Sequence, residues 1–125
     1  MKTMNAQTVI NDTLMGRDFY LSLGDFLDEF YRADTRDRKD MLFVTPDFDI
    51  PKTNLAYLAS SVHKLANDHD IEPPEWVFDE RCYLYDEPFF GCNATGNLRL
   101  LFMYKSPSEF KHRNLFVDEN VLVRV

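Results

Sequence analysis

Residues 54–71 read NLAYLASSVHKLANDHDI, and no other stretch of the chain keeps its apolar residues in helical time for so long. Leu55, Leu58, Ala59, Val62, Leu65 and Ala66 follow the i, i+3, i+4, i+7 spacing and make one stripe. Ser60, Ser61, Lys64, Asn67 and Asp68 fall on the other side, and neither Gly nor Pro interrupts. Ala and Leu dominate, so propensity and pattern agree on a core helix that starts near Thr53 and organises the rest of the chain.

Towards the N-terminus the next clear period runs through Phe19, Leu23, Phe26, Leu27, Phe30 and Tyr31. It predicts an amphipathic helix over residues 19–33, capped near Ser22, with Asp25, Asp28 and Glu29 outward and Gly24 as a weak point. Asp34 and Thr35 can end it and cap a second helix over residues 36–44, whose RDRKD run reads as a solvated face with local ion pairs. Residues 45–51, TPDFDIP, form a turn-rich connector, because each Pro pushes its predecessor out of the helical region. Residues 1–16 show no sustained period and read as a loosely held arm with a short ordered piece at residues 8–14, leaving 17–125 as a single helical domain.

Beyond Ile71, Pro73-Pro74 stops the central helix, and Glu75-Trp76-Val77-Phe78 can begin a short new one with Pro74 at its first position. Trp76, the single tryptophan, is expected to plug the core at one end of the central helix. Residues 79–91, DERCYLYDEPFFG, have no period and read as an irregular segment that pins aromatics to the core, as a lid over a groove. After a turn at residues 93–96, Leu98, Leu100, Leu101, Phe102, Met103 and Tyr104 make the densest apolar run. With no β-branched enrichment and no strand elsewhere to pair with, helix is favoured there over buried strand. Ser106-Pro107-Ser108-Glu109 has the capping-box form, with Ser106 as cap and Glu109 at the third helical position, which predicts a helix over residues 107–113. Phe102 and Phe110 are expected to be buried with the central stripe and Trp76, and residues 121–125 alternate in a way that fits a short terminal strand. The fold expected is mainly α: a small helical bundle with one irregular, aromatic-rich segment.

At 125 residues, 45% hydrophobic and 14% aromatic, the chain has apolar bulk for one core despite a net charge of −7. No run approaches the roughly 20 apolar residues of a membrane span, and the N-terminus lacks the apolar stretch of a secretory signal, so a cytoplasmic location without membrane association is expected. Residues 1–91 hold 18 acidic against 9 basic residues, whereas residues 92–125 hold 3 against 5. An acidic body repels phosphate backbones, which disfavours direct nucleic-acid binding, and attracts a basic protein.

Little in the chain names a chemistry. His63 flanks the apolar stripe, and His69 lies near the end of the helix, where the dipole would favour an imidazolium. Six residues apart, the two point in different directions and do not form a shared metal site. Cys82 and Cys92 lack zinc spacing and read as reduced thiols, Cys82 as a buried, inert one. The clusters Asp25-Asp28-Glu29 and Asp86-Glu87 read as solvated faces without a ligand ladder. Phosphate-cradling glycine loops and a basic helix-turn-helix are both missing, and neither a cofactor nor a metal is implied.

Two elements carry a family mark: Pro74, Trp76 and Val77 in PPEWVFDERCYL, and Ser106, Pro107, Phe110, Arg113, Leu115, Phe116 and Val117 in the ending. With them, residues 19–125 resemble a family of small uncharacterised bacterial proteins that share a Pro-x-Trp-Val element and a Ser-Pro-x-x-Phe-x-x-Arg-x-Leu/Ile-Phe-Val ending. The resemblance implies a component of a toxin–antitoxin or mobile-element locus: an antitoxin-like protein that neutralises a basic toxin by direct binding. Tyr83, Tyr85, Phe89 and Phe90 are the expected apolar anchor, beside Asp86 and Glu87. Trp76, Ser106, Pro107, Glu109, Phe110 and Arg113 are read as architecture, with Arg113 pairing a carboxylate or satisfying carbonyls. The alternatives are a small hydrolase or transferase using His63, His69 or Arg113 in a groove, and a transcriptional co-regulator acting through a partner.

Overall fold

The computed structural model describes residues 4–124. The order of α-helices is α1 Ala6–Leu14, α2 Phe19–Arg32, α3 Thr35–Phe43, α4 Lys52–Asp68, α5 Gly96–Lys105 and α6 Ser108–Lys111. Two 3₁₀ turns, Glu75–Phe78 and Glu80–Cys82, follow α4, and a third, Gly91–Asn93, precedes α5. A two-residue parallel ladder joins β1, Phe89–Phe90, to β2, Leu115–Phe116, with Phe89 opposite Leu115 and Phe90 opposite Phe116. The chain is therefore a mainly α single domain, as its periodicities predict.

α4 is the centre. The 3₁₀ turns Glu75–Phe78 and Glu80–Cys82 pack on it together with α6, and its stripe from Leu55 to Ala66 is buried. Ser60 and Ser61, expected on an outer face, are also fully buried. Their hydroxyls donate to Ala56 O and Tyr57 O, each at 2.8 Å, so two small side chains satisfy themselves against the preceding turn and let neighbours close in. The helix ends on Asp70 at φ +56°, with Ile71 N donating to Ala66 O at 2.8 Å. This is the left-handed C-terminal motif, here made by an aspartate, and it tucks Ile71 into the core.

Residues 4–16 are not a loose arm. Asn5 caps α1 by accepting from Thr8 N at 3.1 Å, while the Thr8 hydroxyl accepts from Asn5 N at 3.2 Å. Ala6, Val9 and Ile10 are buried against α2, a contribution of roughly 1.5–3 kcal/mol for each of the two larger side chains. The Gln7 amide reaches the connector both ways, donating to Asp47 Oδ2 at 2.9 Å and accepting from Asp47 N at 2.8 Å. Gly16, at φ +96°, then turns the chain into α2.

α2 begins one turn earlier than Ser22: Asp18 caps it, accepting from Tyr20 N and Leu21 N. Ser22 lies inside the helix and donates to Asp12 Oδ2 at 2.8 Å, tying α2 to α1. The C-terminal stretch lies on the same helix. Tyr31 donates to Leu122 O at 2.9 Å and Arg124 pairs with Asp28 at 2.9 Å. Residues 121–124 run as turn and coil, not as the terminal strand their alternation suggested; residue 125 lies outside the described residues. Trp76 is buried as expected, its Nε1 donating to Leu42 O at 3.0 Å.

The ending departs from the capping-box reading. α6 starts at Ser108 without a side-chain cap, and Ser106 turns inward instead. Its hydroxyl donates to Leu115 O and accepts from Val117 N, both at 3.2 Å, fixing the far side of the ladder. Glu109, the supposed reciprocal partner, accepts from Asn67 Nδ2 of α4 at 2.8 Å. Arg113 is 1% exposed. It donates to Val77 O at 2.7 Å and Glu109 O at 2.9 Å and lies over the Tyr83 ring at 4.8 Å, so it satisfies carbonyls, the second of the two roles expected of it.

Candidate interaction groove

Tyr57, on the N-terminal half of α4, is the foundation of a partly enclosed apolar cleft. Its ring stands edge-on to Phe19, Tyr20, Phe89 and Phe110, with centroids 5.2 to 6.2 Å apart. Such pairs contribute roughly 0.5–1.5 kcal/mol each beyond burial. Burial first, and then the neighbouring Tyr20 and Cys92, push the Tyr57 phenol well above its ordinary pKa, so it remains a neutral hydroxyl at any physiological pH. Against this aromatic floor lies a cleft of about 360 Å³ walled by Tyr20, Phe89, Phe102, Val117 and Val121, with Gly91, Cys92 and Asp118 completing its lining. Asp118 in this lining is an exposed carboxylate, and a second, Asp18, stands two residues before Tyr20.

α5 forms one side of this cleft and is otherwise almost bare. The chain reaches it through Cys92 and Asn93, at φ +54° and +51°, and Gly96 at φ +53°. Phe102 alone is buried among its residues, at 5% exposure, and it lines the cleft without joining the main core expected to contain it. Arg99 anchors the helix from above, donating to Ala94 O at 2.8 Å and lying 4.4 Å over Phe90, which stacks on Phe116. Leu98, Leu100, Leu101, Met103 and Tyr104 all face solvent, Leu100 at 64% and Tyr104 at 79%. A helix that is apolar on every side normally belongs in a core, and exposed apolar clusters on soluble proteins mark places where something docks.

The anchor residues expected from the sequence are divided by the fold. Phe89 is a wall of the cleft, whereas Phe90 lies outside its lining and seats Arg99 of α5. Tyr83 is held under Arg113, and its stacking partner Tyr85 is exposed beside Lys52, on a surface it shares with Asp86 and Glu87. Tyr20, Tyr57, Val117 and Asp118 were not foreseen. They converge from three distant points of the chain, and the hint of them in the sequence was an apolar run at residues 98–104 too dense for a solvated helix.

The residues suggested for catalysis are not assembled in this groove. His63 accepts from Arg113 at 3.1 Å and packs edge-on against Phe78, while His69 faces Arg38 at 3.4 Å and Phe30. The imidazolium expected at His69 is opposed: burial, then Arg38, lowers its pKa, outweighing Asp68 and Asp70. Burial pushes the Cys82 thiol up to about 11, and its Sγ lies 3.6 Å from Trp76 O. Among the described residues, no three His, Cys, Asp or Glu side chains are grouped to hold a metal ion, and no helix is long and apolar enough to cross a membrane.

Comparison of the chain with protein-family models, with curated proteins and with solved structures returns no match.

Proposed function

We propose that this chain is a non-catalytic binding component of the bacterial cytoplasm, antitoxin-like, which neutralises a basic partner protein by covering it. The observation that carries the reading is α5, a helix with five large apolar side chains in solvent beside an aromatic cleft. Burying such a surface against a partner would release its ordered water and supply the apolar centre that strong interfaces need. The partner's charge follows from the surroundings. Asp118 is exposed in the cleft lining and Asp18 two residues before Tyr20, and residues 1–91 carry 18 acidic against 9 basic residues, so lysines and arginines around an apolar anchor would find complementary potential. Steering by that field would speed encounter, while α5 and the cleft would set the rate of separation.

The test is co-expression with the product of the adjacent gene, followed by size-exclusion chromatography. A complex whose association rate falls steeply between low and physiological salt, and which Leu101→Asp dissociates without unfolding the chain, supports the proposal. A chain that elutes alone beside each neighbour, and turns over a substrate in a manner abolished by His63→Gln or His69→Gln, would establish an enzyme instead.

A further inference from the structure

His63 on α4 and His69, just past its last residue, sit in the same arrangement. Arg113 Nη1 is 3.1 Å from His63 Nδ1, and Arg38 Nη1 is 3.4 Å from His69 Nδ1. A guanidinium has donors only, so each Nδ1 must accept, and each ring is neutral with its proton on Nε2. Protonating either ring would turn an acceptor into a donor facing a donor and would bring two cations into contact.

The two pairs differ in what depends on them. Arg38, bonded to Phe30 O and Tyr31 O at 2.9 and 3.2 Å, is half-exposed, so water can screen it from a protonated His69, whereas no water screens the buried Arg113 from a protonated His63. Arg113 is buried, and its position gathers several elements. Its donors hold Val77 O of the 3₁₀ turn and Glu109 O of α6. Its own carbonyl accepts from Leu84 N at 3.3 Å, and the next carbonyl, Asn114 O, accepts from Phe89 N at 3.0 Å beside the ladder. His63 is the only group of α4 that holds this guanidinium by a hydrogen bond.

We propose that His63 and Arg113 form an acid-released latch: the neutral imidazole keeps the guanidinium seated on α4, and its protonation frees Arg113 and loosens α6 and the β1–β2 ladder, which carry one wall of the cleft. The latch stands on its own, whether or not a partner occupies the groove. Three charged or titratable groups bear on His63. Arg113 and His112 disfavour its protonation, Glu109 favours it from α6, and on its own helix Lys64 is engaged with Asp68 at 2.8 Å. Glu109 is drawn one turn along by Asn67, and burial, the largest cause, adds to the two cations. The balance lowers the pKa of His63 from the ordinary value of 6.5. The folded state therefore binds fewer protons than the unfolded one; the stabilisation is complete above about 6.5 and is lost as pH falls through the depressed folded value.

Backbone amide exchange on the full chain, corrected for intrinsic rates, tests this between about pH 7.5 and pH 5. Protection at Leu84 and Phe89 is expected to fall by up to about tenfold per pH unit below about 6.5, ahead of Phe26 in α2. His63→Gln, whose amide oxygen accepts from Arg113 at every pH, should remove that fall, whereas His69→Gln should keep it. A flat profile in the unaltered chain, or the same fall in His63→Gln, would overturn the latch. Should His63→Gln not fold, the imidazole titration of His63 followed by NMR in the unaltered chain decides: a midpoint at or above about 6.5 refutes the proposal, and one below it supports it.

Discussion

Replacing Arg113 by alanine should be among the most damaging single changes in the chain. The side chain is 1% exposed, and its removal strands Val77 O and Glu109 O, the first at 2.7 Å from the guanidinium and the second at 2.9 Å. A buried carbonyl left without its donor costs about 1–3 kcal/mol, so the two together account for about 2–6 kcal/mol before the vacated volume beneath Tyr83 is counted. Against this stands the relief of a desolvated cation: burial lowers the Arg113 pKa, and its Nε is buried with no hydrogen-bond partner among the described residues. The loss expected therefore stays within about 2–6 kcal/mol, a large share of the roughly 5–15 kcal/mol available to a domain. Urea unfolding followed by circular dichroism measures it, with an unchanged slope required for the comparison to hold. Arg113→Lys should recover only part of the loss, because one ammonium does not reproduce the planar fork that spans Val77 O, Glu109 O and His63. A loss below about 1 kcal/mol in Arg113→Ala would refute the assignment of this residue as a structural pin.

Other outcomes follow from the same contacts. Leu58→Ala and Leu65→Ala, at positions essentially without exposure on α4, should each lower stability by about 2–5 kcal/mol in the same unfolding assay. Ser106→Ala removes a hydroxyl that serves both Leu115 O and Val117 N, and should lower stability by about 1–3 kcal/mol while exposing the Val117 amide to exchange. Gly24→Ala should stabilise α2 by about 0.5–1 kcal/mol, since the nearest atoms to the new methyl group belong to the flexible guanidinium of Arg124, which has to shift by a few tenths of an ångström; a lower melting temperature would mean that this arginine cannot move aside. Leu101→Asp should leave the melting temperature of the isolated chain within a few degrees, because the side chain already faces water, and a large drop would show that α5 packs more closely than described.

How much of this could be read in advance depended on whether the relevant physics was local. The stripe of α4 was legible because six apolar residues repeat within one helix, and Trp76 because a single large ring in a small chain has few places to go. α1 was legible only as a short ordered piece at residues 8–14, because its buried face comprises only Ala6, Val9 and Ile10, and its reciprocal cap ends in Thr8 where a glutamate would have been recognised. Ser60 and Ser61 were misplaced because hydropathy counts a serine as polar even when its hydroxyl is bonded to its own helix. Ser106 and Glu109 had the right spacing for a cap, but each had a better partner from far along the chain, in Leu115, Val117 and Asn67. The cleft was invisible for the same reason. Tyr20, Tyr57, Phe89, Phe102 and Val117 are spread through most of the sequence and meet only once the fold exists.

The short parallel ladder has a consequence for how this chain can change over time. Parallel neighbours cannot be joined by a tight hairpin, so everything between Phe90 and Leu115 is a crossover whose two ends the ladder pins side by side. α5 is part of that crossover and touches the remainder through Phe102, Arg99 and a few bonds at its margins. Lengthening a closed loop is entropically cheap, at about 0.6 kcal/mol for each doubling. Residues 96–105 can thus be exchanged, extended or rewritten as a cassette between fixed ends, while the aromatic floor beneath them stays the same.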